Sequence, residues 1–155
     1  MLRIYAVRNE QDVESVKALF IEYAESLDFD LGFQNFDEEL ANLPGGYGEP
    51  GGCMLLAEYQ GQNVGCVALR ASVDDVCEMK RLYVQPSFHG RGIGRAMAEA
   101  IIEEARRIGY KRMRLDTVPS MEAARSLYRS LGFTEIGPYR YNPLDGAVFM
   151  ELKLI

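Results

Sequence analysis

The sequence contains no tryptophan, a single histidine, His89, and three cysteines without CxxC spacing. One histidine excludes a histidine-rich metal site, and cysteines in apolar, strand-like runs are typical of buried thiols rather than of disulfides or metal ligands. No apolar stretch approaches the roughly 20 residues that span a bilayer, and the first residues lack the apolar region of a signal peptide. We therefore expect a cytoplasmic protein with no metal and no membrane partner.

Length and charge narrow the class further. The chain has 155 residues and a formal net charge of −6. A general nucleic-acid-binding protein usually has a basic surface, so we expect no nucleic-acid partner. The length suits one domain with its own core, and the sequence shows no internal repeat. Residues 1–155 are therefore predicted to form a single domain.

Hydrophobic spacing predicts a mixed α/β domain in the order β-α-α-β-β-β-α-β-α-β-β. Strand patterns lie at Leu2–Arg8, Cys53–Tyr59, Asn63–Arg70, Val76–Val84, Arg112–Thr117, Phe133–Ile136 and Ala147–Leu154. Helical patterns lie at Glu10–Ser26, Phe36–Ala41, Met121–Leu131 and from Ile93 to Gly109. The strand Arg112–Thr117 is expected to be parallel to the strand Val76–Val84, because the helix from Ile93 to Gly109 connects them. We expect one central, mostly antiparallel sheet flanked by helices.

A glycine-rich turn joins the strand Val76–Val84 to the helix that follows it. Gly90, Gly92 and Gly94 permit backbone conformations and close ligand approach that a Cβ would block. The amides of residues 91–95 then lie at a helix N-terminus, where unpaired N–H groups and the helix dipole favour an anion. The pattern predicts a phosphate-binding loop, although a turn that merely connects two elements has a similar composition.

Two common phosphate-binding motifs are absent. The chain has no GxxxxGK[ST] run, so it lacks a P-loop. Neither glycine frame completes the dinucleotide motif GxGxxG, because Arg95 and Met97 occupy the last glycine position. The antiparallel hairpins before the turn also differ from a doubly wound sheet, so a nucleotide-binding oxidoreductase is disfavoured.

Two motifs resemble the GCN5-related N-acetyltransferase (GNAT) family. The run HGRGIG at 89–94 is similar to that family's coenzyme A signature, [Q/R]-x-x-G-x-[G/A], except at its first position. Further along, Ala124–Phe133 resembles the family pattern A-x-x-x-Y-x-x-x-G-F. The order of strands and helices agrees as well, so the resemblance covers essentially the whole chain. It implies the GNAT fold and acetyl-CoA as the acyl donor.

The resemblance also implies which residues bind the donor. In the family, the loop amides hold the pyrophosphate of coenzyme A, and backbone groups of the preceding strand pair with the pantetheine arm. The matching positions are Leu82, Tyr83, Val84, His89, Gly90, Arg91, Gly92, Ile93, Gly94 and Arg95. Two residues depart from the family pattern: His89 replaces Gln or Arg, and Met121 stands where many members have an asparagine that contacts the pantetheine arm.

Two residues match catalytic positions of similar enzymes. Tyr128 matches the general acid that protonates the departing thiolate, and a phenol of pKa about 10 suits that role. The other interpretation of Tyr128 is a helix tyrosine that fills core space. Glu78 lies where some members carry a glutamate base, and strict alternation would place it on the same sheet face as Leu82 and Val84. An ordinary glutamate at a strand start is an equally good interpretation.

The resemblance therefore implies an acetyl-CoA-dependent N-acetyltransferase that acts on a primary amine of a small molecule or peptide. The amine would attack the thioester directly, without a covalent enzyme intermediate. The alternative is a non-catalytic acyl-CoA-binding sensor or interaction module of the same fold, which the substitutions at His89 and Met121 favour and the retained Tyr128 opposes. Dimerisation is common among similar proteins, so a homodimer is also an expected state.

Overall fold

The structure is a computed structural model that describes residues 1–155. Its strands are β1 (Leu2–Ala6), β2 (Cys53–Tyr59), β3 (Gln62–Ala71), β4 (Val76–Val84), β5 (Arg112–Thr117), β6 (Thr134–Ile136) and β7 (Val148–Lys153). Its α-helices are α1 (Glu10–Ser26), α2 (Phe36–Ala41), α3 (Ile93–Ile108) and α4 (Glu122–Ser130). Short 3-10 turns lie at 31–34, 45–47 and 86–88. The predicted order of strands and helices is confirmed.

All the strands form one sheet in the order β1-β2-β3-β4-β5-β7-β6. β4 and β5 are parallel, and every other neighbouring pair is antiparallel. The parallel pair requires a crossover connection, which α3 supplies. β2 and β3 are instead joined by a tight turn at Gln60 and Gly61, both with positive φ, as expected for a short hairpin. The predicted mostly antiparallel central sheet is confirmed.

Each face of the sheet buries its own apolar cluster. α3 covers one face with a stripe of fully buried residues that includes Met97, Ile101 and Ala105. α1 covers the opposite face with Val16, Leu19 and Phe20, joined by residues of α2 and of the 31–34 turn. No helix in the structure is both long and apolar enough to cross a bilayer.

The cysteines confirm the prediction of buried thiols. Cys53, Cys66 and Cys77 are all buried and unpaired. Cys66 lies on the face covered by α1, whereas Cys53 and Cys77 lie on the α3 face. They therefore pack as small apolar side chains within the sheet layers.

A β-bulge at Arg81 changes which residues of β4 share a face. Arg81 has a φ of 62°, and the register between β3 and β4 shifts between Cys66 and Ala68. Residues on the two sides of a bulge no longer alternate in phase. Leu82 and Val84 consequently pack on the α3 cluster together with Met79.

The expectation that Glu78 shares a face with Leu82 and Val84 is therefore wrong. Glu78 lies between Cys77 and Met79, which both point into the α3 cluster. Because successive side chains of a strand alternate, Glu78 points to the opposite face, towards α1 and α2. The extra residue at Arg81 returns Leu82 and Val84 to the α3 side.

β4 and β5 separate after a short paired region. They pair at Val76–Arg112, Cys77–Met113 and Glu78–Arg114 and no further. The second half of β5, Leu115–Thr117, pairs with β7 alone, and the second half of β4 pairs with β3 alone. A V-shaped opening thus forms in the middle of the sheet, at the carboxyl ends of the two parallel strands.

β4 and α3 both pack closely against Gly65 of β3, where there is no room for a side chain. We predict that Gly65→Ala destabilises the fold. A Cβ at this position would lie 2.9 Å from the Tyr83 carbonyl oxygen and 3.0 Å from the Met97 sulfur. Overpacking of this kind costs about 1–3 kcal/mol. Urea denaturation measures the change in the free energy of unfolding.

Gly137→Ala is the matched control, because a Cβ there meets nothing within 4 Å and Gly137 has no positive φ. The control should unfold like the parent chain. Equal stability of Gly65→Ala and Gly137→Ala would contradict the close packing of α3 on β3 and β4.

Candidate active site

The loop that precedes α3 has the geometry of an anion site. Gly90 and Gly92 have φ values of 80° and 77°, in the left-handed region that favours glycine. Gly92 is the N-cap of α3, and no side chain caps this helix end. The first helical hydrogen bond runs from the Ala96 amide to the Gly92 carbonyl, so the amides before it have no acceptor within the helix. These amides and the helix dipole favour a phosphate group.

Two arginines flank this helix end. Arg91 is exposed, and its guanidinium lies over the rings of Tyr59, at 5.5 Å, and Phe88, at 6.0 Å. Arg95 donates to the hydroxyl of Ser130 on α4. Although the chain is acidic as a whole, the surface around the loop therefore carries positive charge at the place where an anion would bind.

The edge of β4 beyond the opening is available to a ligand. The backbone N–H of Gln85 donates to the carbonyl oxygen of Val64 on β3. Because successive residues of a strand direct their backbone groups to opposite edges, those of Leu82 and Val84 point to the unpaired edge. The Nε2 atom of His89 lies 2.8 Å from the Val84 carbonyl oxygen, which identifies Nε2 as the donor. His89 thus contacts the strand edge on which the pantetheine arm is expected, and an incoming donor would share or displace this contact.

Tyr128 of α4 lines a cleft between the separated strands. The cleft has a volume of about 60 Å³ and includes Leu82 on β4 and Asp116 on β5. The Tyr128 ring packs on Phe133, with ring centroids 5.7 Å apart, and its hydroxyl forms no hydrogen bond within the protein. Burial raises the pKa of Tyr128, so the phenol stays protonated and can donate a proton. Met121, one of the two residues that depart from the family pattern, lines the same cleft.

Glu78 lies at the paired end of the opening and is almost fully buried. Its carboxylate accepts hydrogen bonds from Arg70 Nε, at 2.9 Å, and from the Tyr139 hydroxyl, at 2.9 Å. It also forms an ion pair with Arg140. The structure therefore places Glu78 at the centre of a charged network and does not bring it into the cleft that Tyr128 lines.

Three polar residues of the cleft, Gln34, Lys80 and Asp116, were not among the predicted site residues. Lys80 is buried on β4 and donates its Nζ to Gln34 Oε1 at 2.8 Å. Asp116 accepts a hydrogen bond from Asn142 Nδ2 at 3.1 Å. β4 contains three charged residues, Glu78, Lys80 and Arg81, and charged residues inside a strand are costly unless they are partnered, which was the one available signal.

A larger groove adjoins the cleft at Gln34. Its volume is about 300 Å³, and it also includes Glu38, Glu39 and Arg70. Arg81 closes the inner side: its guanidinium forms two hydrogen bonds with Glu39, at 2.9 and 3.0 Å, and a third with Gln34, at 2.8 Å. Arg81, which lines the cleft, and Arg70, which lines the groove, are thus already paired with carboxylates of the chain itself.

A third and larger cavity adjoins the groove, with which it shares Pro44 and Tyr47. It has a volume of about 690 Å³ and lies between the start of α1 and the segment 43–49. None of the predicted site residues lines it. No group of three or more His, Cys, Asp or Glu side chains in the structure is arranged to hold a metal ion.

The sequence of residues 13–133 matches the family model of the acetyltransferase (GNAT) family. The chain is 41% identical over 155 residues to an uncharacterised N-acetyltransferase of Schizosaccharomyces pombe, with 99% of this chain and 95% of that protein covered. A GNAT acetyltransferase of Staphylococcus aureus has the same fold, with a TM-score of 0.82, 20% identity and full coverage of both chains. An acetyltransferase of Salmonella typhimurium, solved with acetyl-CoA, matches with a TM-score of 0.72 and 22% identity over 100% of this chain and 95% of that one.

The chain belongs to the GNAT family of acetyltransferases. It is an acyltransferase of the N-acetyltransferase type, and the family uses acetyl-CoA as the donor. The predicted GNAT fold is confirmed.

The loop geometry predicts that alanine at Gly92 weakens acetyl-CoA binding and that alanine at Gly94 does not. Gly92→Ala forces an L-residue into the left-handed region, which costs about 1–2 kcal/mol and is relieved by movement of the loop. Since about 1.4 kcal/mol corresponds to a tenfold change in a binding constant, acetyl-CoA affinity should fall roughly tenfold. Isothermal titration calorimetry with acetyl-CoA measures the loss.

Gly94→Ala is the matched control. Gly94 has no positive φ, and a Cβ there would lie 3.8 Å from Val84, an ordinary van der Waals contact. The family signature accepts alanine at the position of Gly94, and within a helix alanine is favoured over glycine by roughly 0.5–1 kcal/mol. This variant should therefore be at least as stable as the parent and bind acetyl-CoA through the same loop amides. Equal affinity of both variants would show that the loop conformation does not determine binding.

We also predict that Glu78→Gln lowers stability. The substitution leaves two guanidinium groups beside a neutral amide, and removal of one partner of a buried ion pair costs about 3–5 kcal/mol. Because the side chains of Arg70 and Arg140 are 35% and 24% exposed, we expect a smaller loss, about 2–3 kcal/mol in urea denaturation. Glu58→Gln is the control, since it breaks an exposed pair with Arg3 and should cost below about 1 kcal/mol.

Proposed function

We propose that this protein transfers an acetyl group from acetyl-CoA to a primary amine of a small molecule or peptide, by direct attack of the amine on the thioester. The observation that carries the proposal is the unpartnered hydroxyl of Tyr128 in the cleft between β4 and β5, next to the free edge of β4. A proton donor at this place lies where a thioester held along β4 would release its thiolate. Tyr128 is the proposed general acid.

The donor would be held by three kinds of contact. The uncapped amides at the start of α3 would bind the pyrophosphate, with the flexibility of Gly90 and Gly92 giving the loop its shape. Arg91 and Arg95 would supply positive charge beside it. The backbone of residues 82–84 would pair with the pantetheine arm as an added strand. A Cβ added at Gly90 or Gly92 would meet no atom within 4 Å, so the loop leaves open space for a ligand.

The reaction needs no covalent enzyme intermediate. The nitrogen of the acceptor forms the new C–N bond while the C–S bond of the thioester breaks, and the thiolate takes a proton from Tyr128. The three buried cysteines have raised pKa values because of burial, which makes them poor nucleophiles. Direct attack is therefore the route that this site supports.

Glu78 has a different role in this proposal from the one that the sequence analysis assigned. Two arginine donors and a tyrosine hydroxyl engage its carboxylate, which leaves little capacity to accept another proton. We propose that Glu78 fixes Arg70 and Arg140 at the rim of the acceptor groove. The acceptor would enter through the groove at Gln34, Glu38 and Glu39, on the side of the sheet opposite α3.

The reduced thiols are consistent with the proposal of a cytoplasmic protein. We also propose that residues 1–155 act as one domain, since both apolar clusters share the same sheet. A homodimer remains part of the proposal, and size-exclusion chromatography with light scattering tests it.

The test of the proposed function is free-thiol release from acetyl-CoA with a panel of primary amines, which includes amino acids, polyamines and short peptides. We predict that Tyr128→Phe lowers kcat roughly 100-fold, the lower end of the effect of a general acid. Acetyl-CoA affinity, measured by calorimetry, should stay nearly unchanged because the ring remains. Tyr141→Phe is the control, since Tyr141 is 79% exposed and outside the cleft.

An unchanged kcat in Tyr128→Phe, with chemistry shown to limit turnover, would refute the acid assignment. Tight acetyl-CoA binding without thiol release for any amine would instead favour the sensor function.

A further inference from the structure

Lys80 is a buried amine inside the cleft that contains the proposed acid. It is 6% exposed and lines the same cavity as Tyr128, Leu82 and Asp116. Its Nζ donates one hydrogen bond, to the neutral oxygen of Gln34. The carboxylates around it are engaged elsewhere, because Glu39 pairs with Arg81 and Glu78 pairs with Arg70 and Arg140. An ammonium at this position would therefore be buried with one neutral acceptor for its three donors.

Charged or titratable groups surround Lys80 on every element packed against it. They are Glu78 and Arg81 on β4, Arg70 on β3, Asp116 on β5, Glu39 on α2, Arg140 between β6 and β7, and the phenols of Tyr23 on α1 and Tyr128 on α4. The guanidinium groups of Arg70 and Arg81 oppose a further positive charge, whereas Asp116 and Glu39 favour one. Glu39 already neutralises Arg81, whereas Asp116 has no arginine or lysine partner and accepts a hydrogen bond from Asn142.

We propose that Lys80, as a free amine, is the proton acceptor for the ammonium group of the acceptor substrate. The inference rests on the proposed function, because it assigns the base of that same reaction. Lys80 lies on the α1 and α2 face, where the groove at Gln34 leads into the cleft. An acceptor that enters by this groove passes the Lys80 amine before it reaches the thioester beside Tyr128.

The neutral state of Lys80 follows from its surroundings. Burial, with the neighbouring Arg81 guanidinium, lowers the pKa of Lys80 to about 7. A lysine with a pKa near neutrality has a substantial unprotonated fraction at physiological pH and can act as a general base, which an ordinary lysine cannot. Hydrogen bonding to Gln34 uses one N–H of the neutral amine and leaves its lone pair available.

The proton balance of the reaction is complete with these two groups. Lys80 takes one proton from the acceptor ammonium and becomes an ammonium itself. The free amine then forms the C–N bond, the C–S bond breaks, and the thiolate takes a proton from Tyr128. The nitrogen loses its second proton to the Tyr128 phenolate, and Lys80 returns the first proton to water. The net products are the amide, coenzyme A as a thiol and one proton.

The experiment compares Lys80→Met and Lys80→Arg with the parent enzyme, using an amine from the panel that gives turnover. Methionine fills similar space without an amine, and arginine carries a permanent positive charge and cannot accept a proton. At about pH 8, kcat should fall roughly 100-fold or more in both variants, the usual effect of removing a general base. Lys111→Met is the control, because Lys111 is exposed and pairs with Asp75 at 3.7 Å.

The dependence of kcat on pH separates a base from a structural lysine. In the parent enzyme, kcat should rise with pH through about 7 and then level off. In Lys80→Met, the rise near pH 7 should disappear. The remaining activity should instead increase with pH as the acceptor amine itself loses its proton. A weakly basic analogue of the acceptor, already neutral at pH 7, should recover much of the lost rate in Lys80→Met, since no base is then required.

Full activity of Lys80→Arg would overturn the proposal and show that Lys80 supplies charge alone. A parental pH profile in Lys80→Met would overturn it as well, and in both cases the proposed acetyl transfer would stand. Failure of the parent enzyme on every amine would overturn the acetyl transfer and the Lys80 assignment together.

A stability measurement reads the titration of Lys80 without any substrate. Because the pKa is lowered in the folded state, the unfolded chain binds more protons between about pH 7 and the ordinary lysine pKa near 10.5. The free energy of unfolding contributed by this site should therefore rise with pH across this window and be lowest below pH 7. Lys80→Met should lack this rise, and an identical pH dependence in both proteins would contradict a neutral Lys80.

Discussion

The separation of β4 from β5 beyond Glu78 and Arg114 is the constraint on which the site depends. These are the parallel strands of the sheet, and α3 connects the carboxyl end of β4 to the start of β5. A parallel pair joined by one helix directs the strand ends and the helix N-terminus to the same side of the sheet. The opening therefore lies beside the anion-binding amides at Gly92, and one extended ligand can contact both.

The bulge at Arg81 determines which side chains reach the opening. An arginine in the left-handed region is strained, and contacts with Glu39 and Gln34 stabilise it in this conformation. The bulge turns Leu82 and Val84 towards α3, where they support the donor side, and leaves Lys80 on the acceptor side. Buried ion pairs such as Arg81–Glu39 often add little net stability. Here the pair instead attaches the 31–41 segment to β4 and positions Gln34 beside Lys80.

Much of the fold could be predicted because its signals are local. The α3 stripe, the hairpin at Gln60 and Gly61, and the glycine turn at 90–94 each follow from spacing or from backbone preference. The cleft was less accessible, because contacts between distant segments create it. Strict alternation placed Glu78 with Leu82 and Val84, since no local feature of the sequence marks a bulge at an arginine. Lys80 appeared as an ordinary polar residue of a strand until the structure showed that α2 and the 31–34 turn bury it.

Burial acts on the two proposed proton-transfer groups in the same chemical sense, towards their neutral forms. It raises the pKa of the Tyr128 phenol and lowers the pKa of the Lys80 amine. Acetyl transfer requires this combination, because the acceptor must lose a proton to a neutral base while the thiolate gains one from a neutral acid. A carboxylate base in the same cleft would need to stay charged, and burial disfavours its ionisation. The pairing of Glu78 with Arg70 and Arg140 outside the cleft removes that conflict, so Glu78 acts as a structural charge and proton transfer is left to Lys80 and Tyr128.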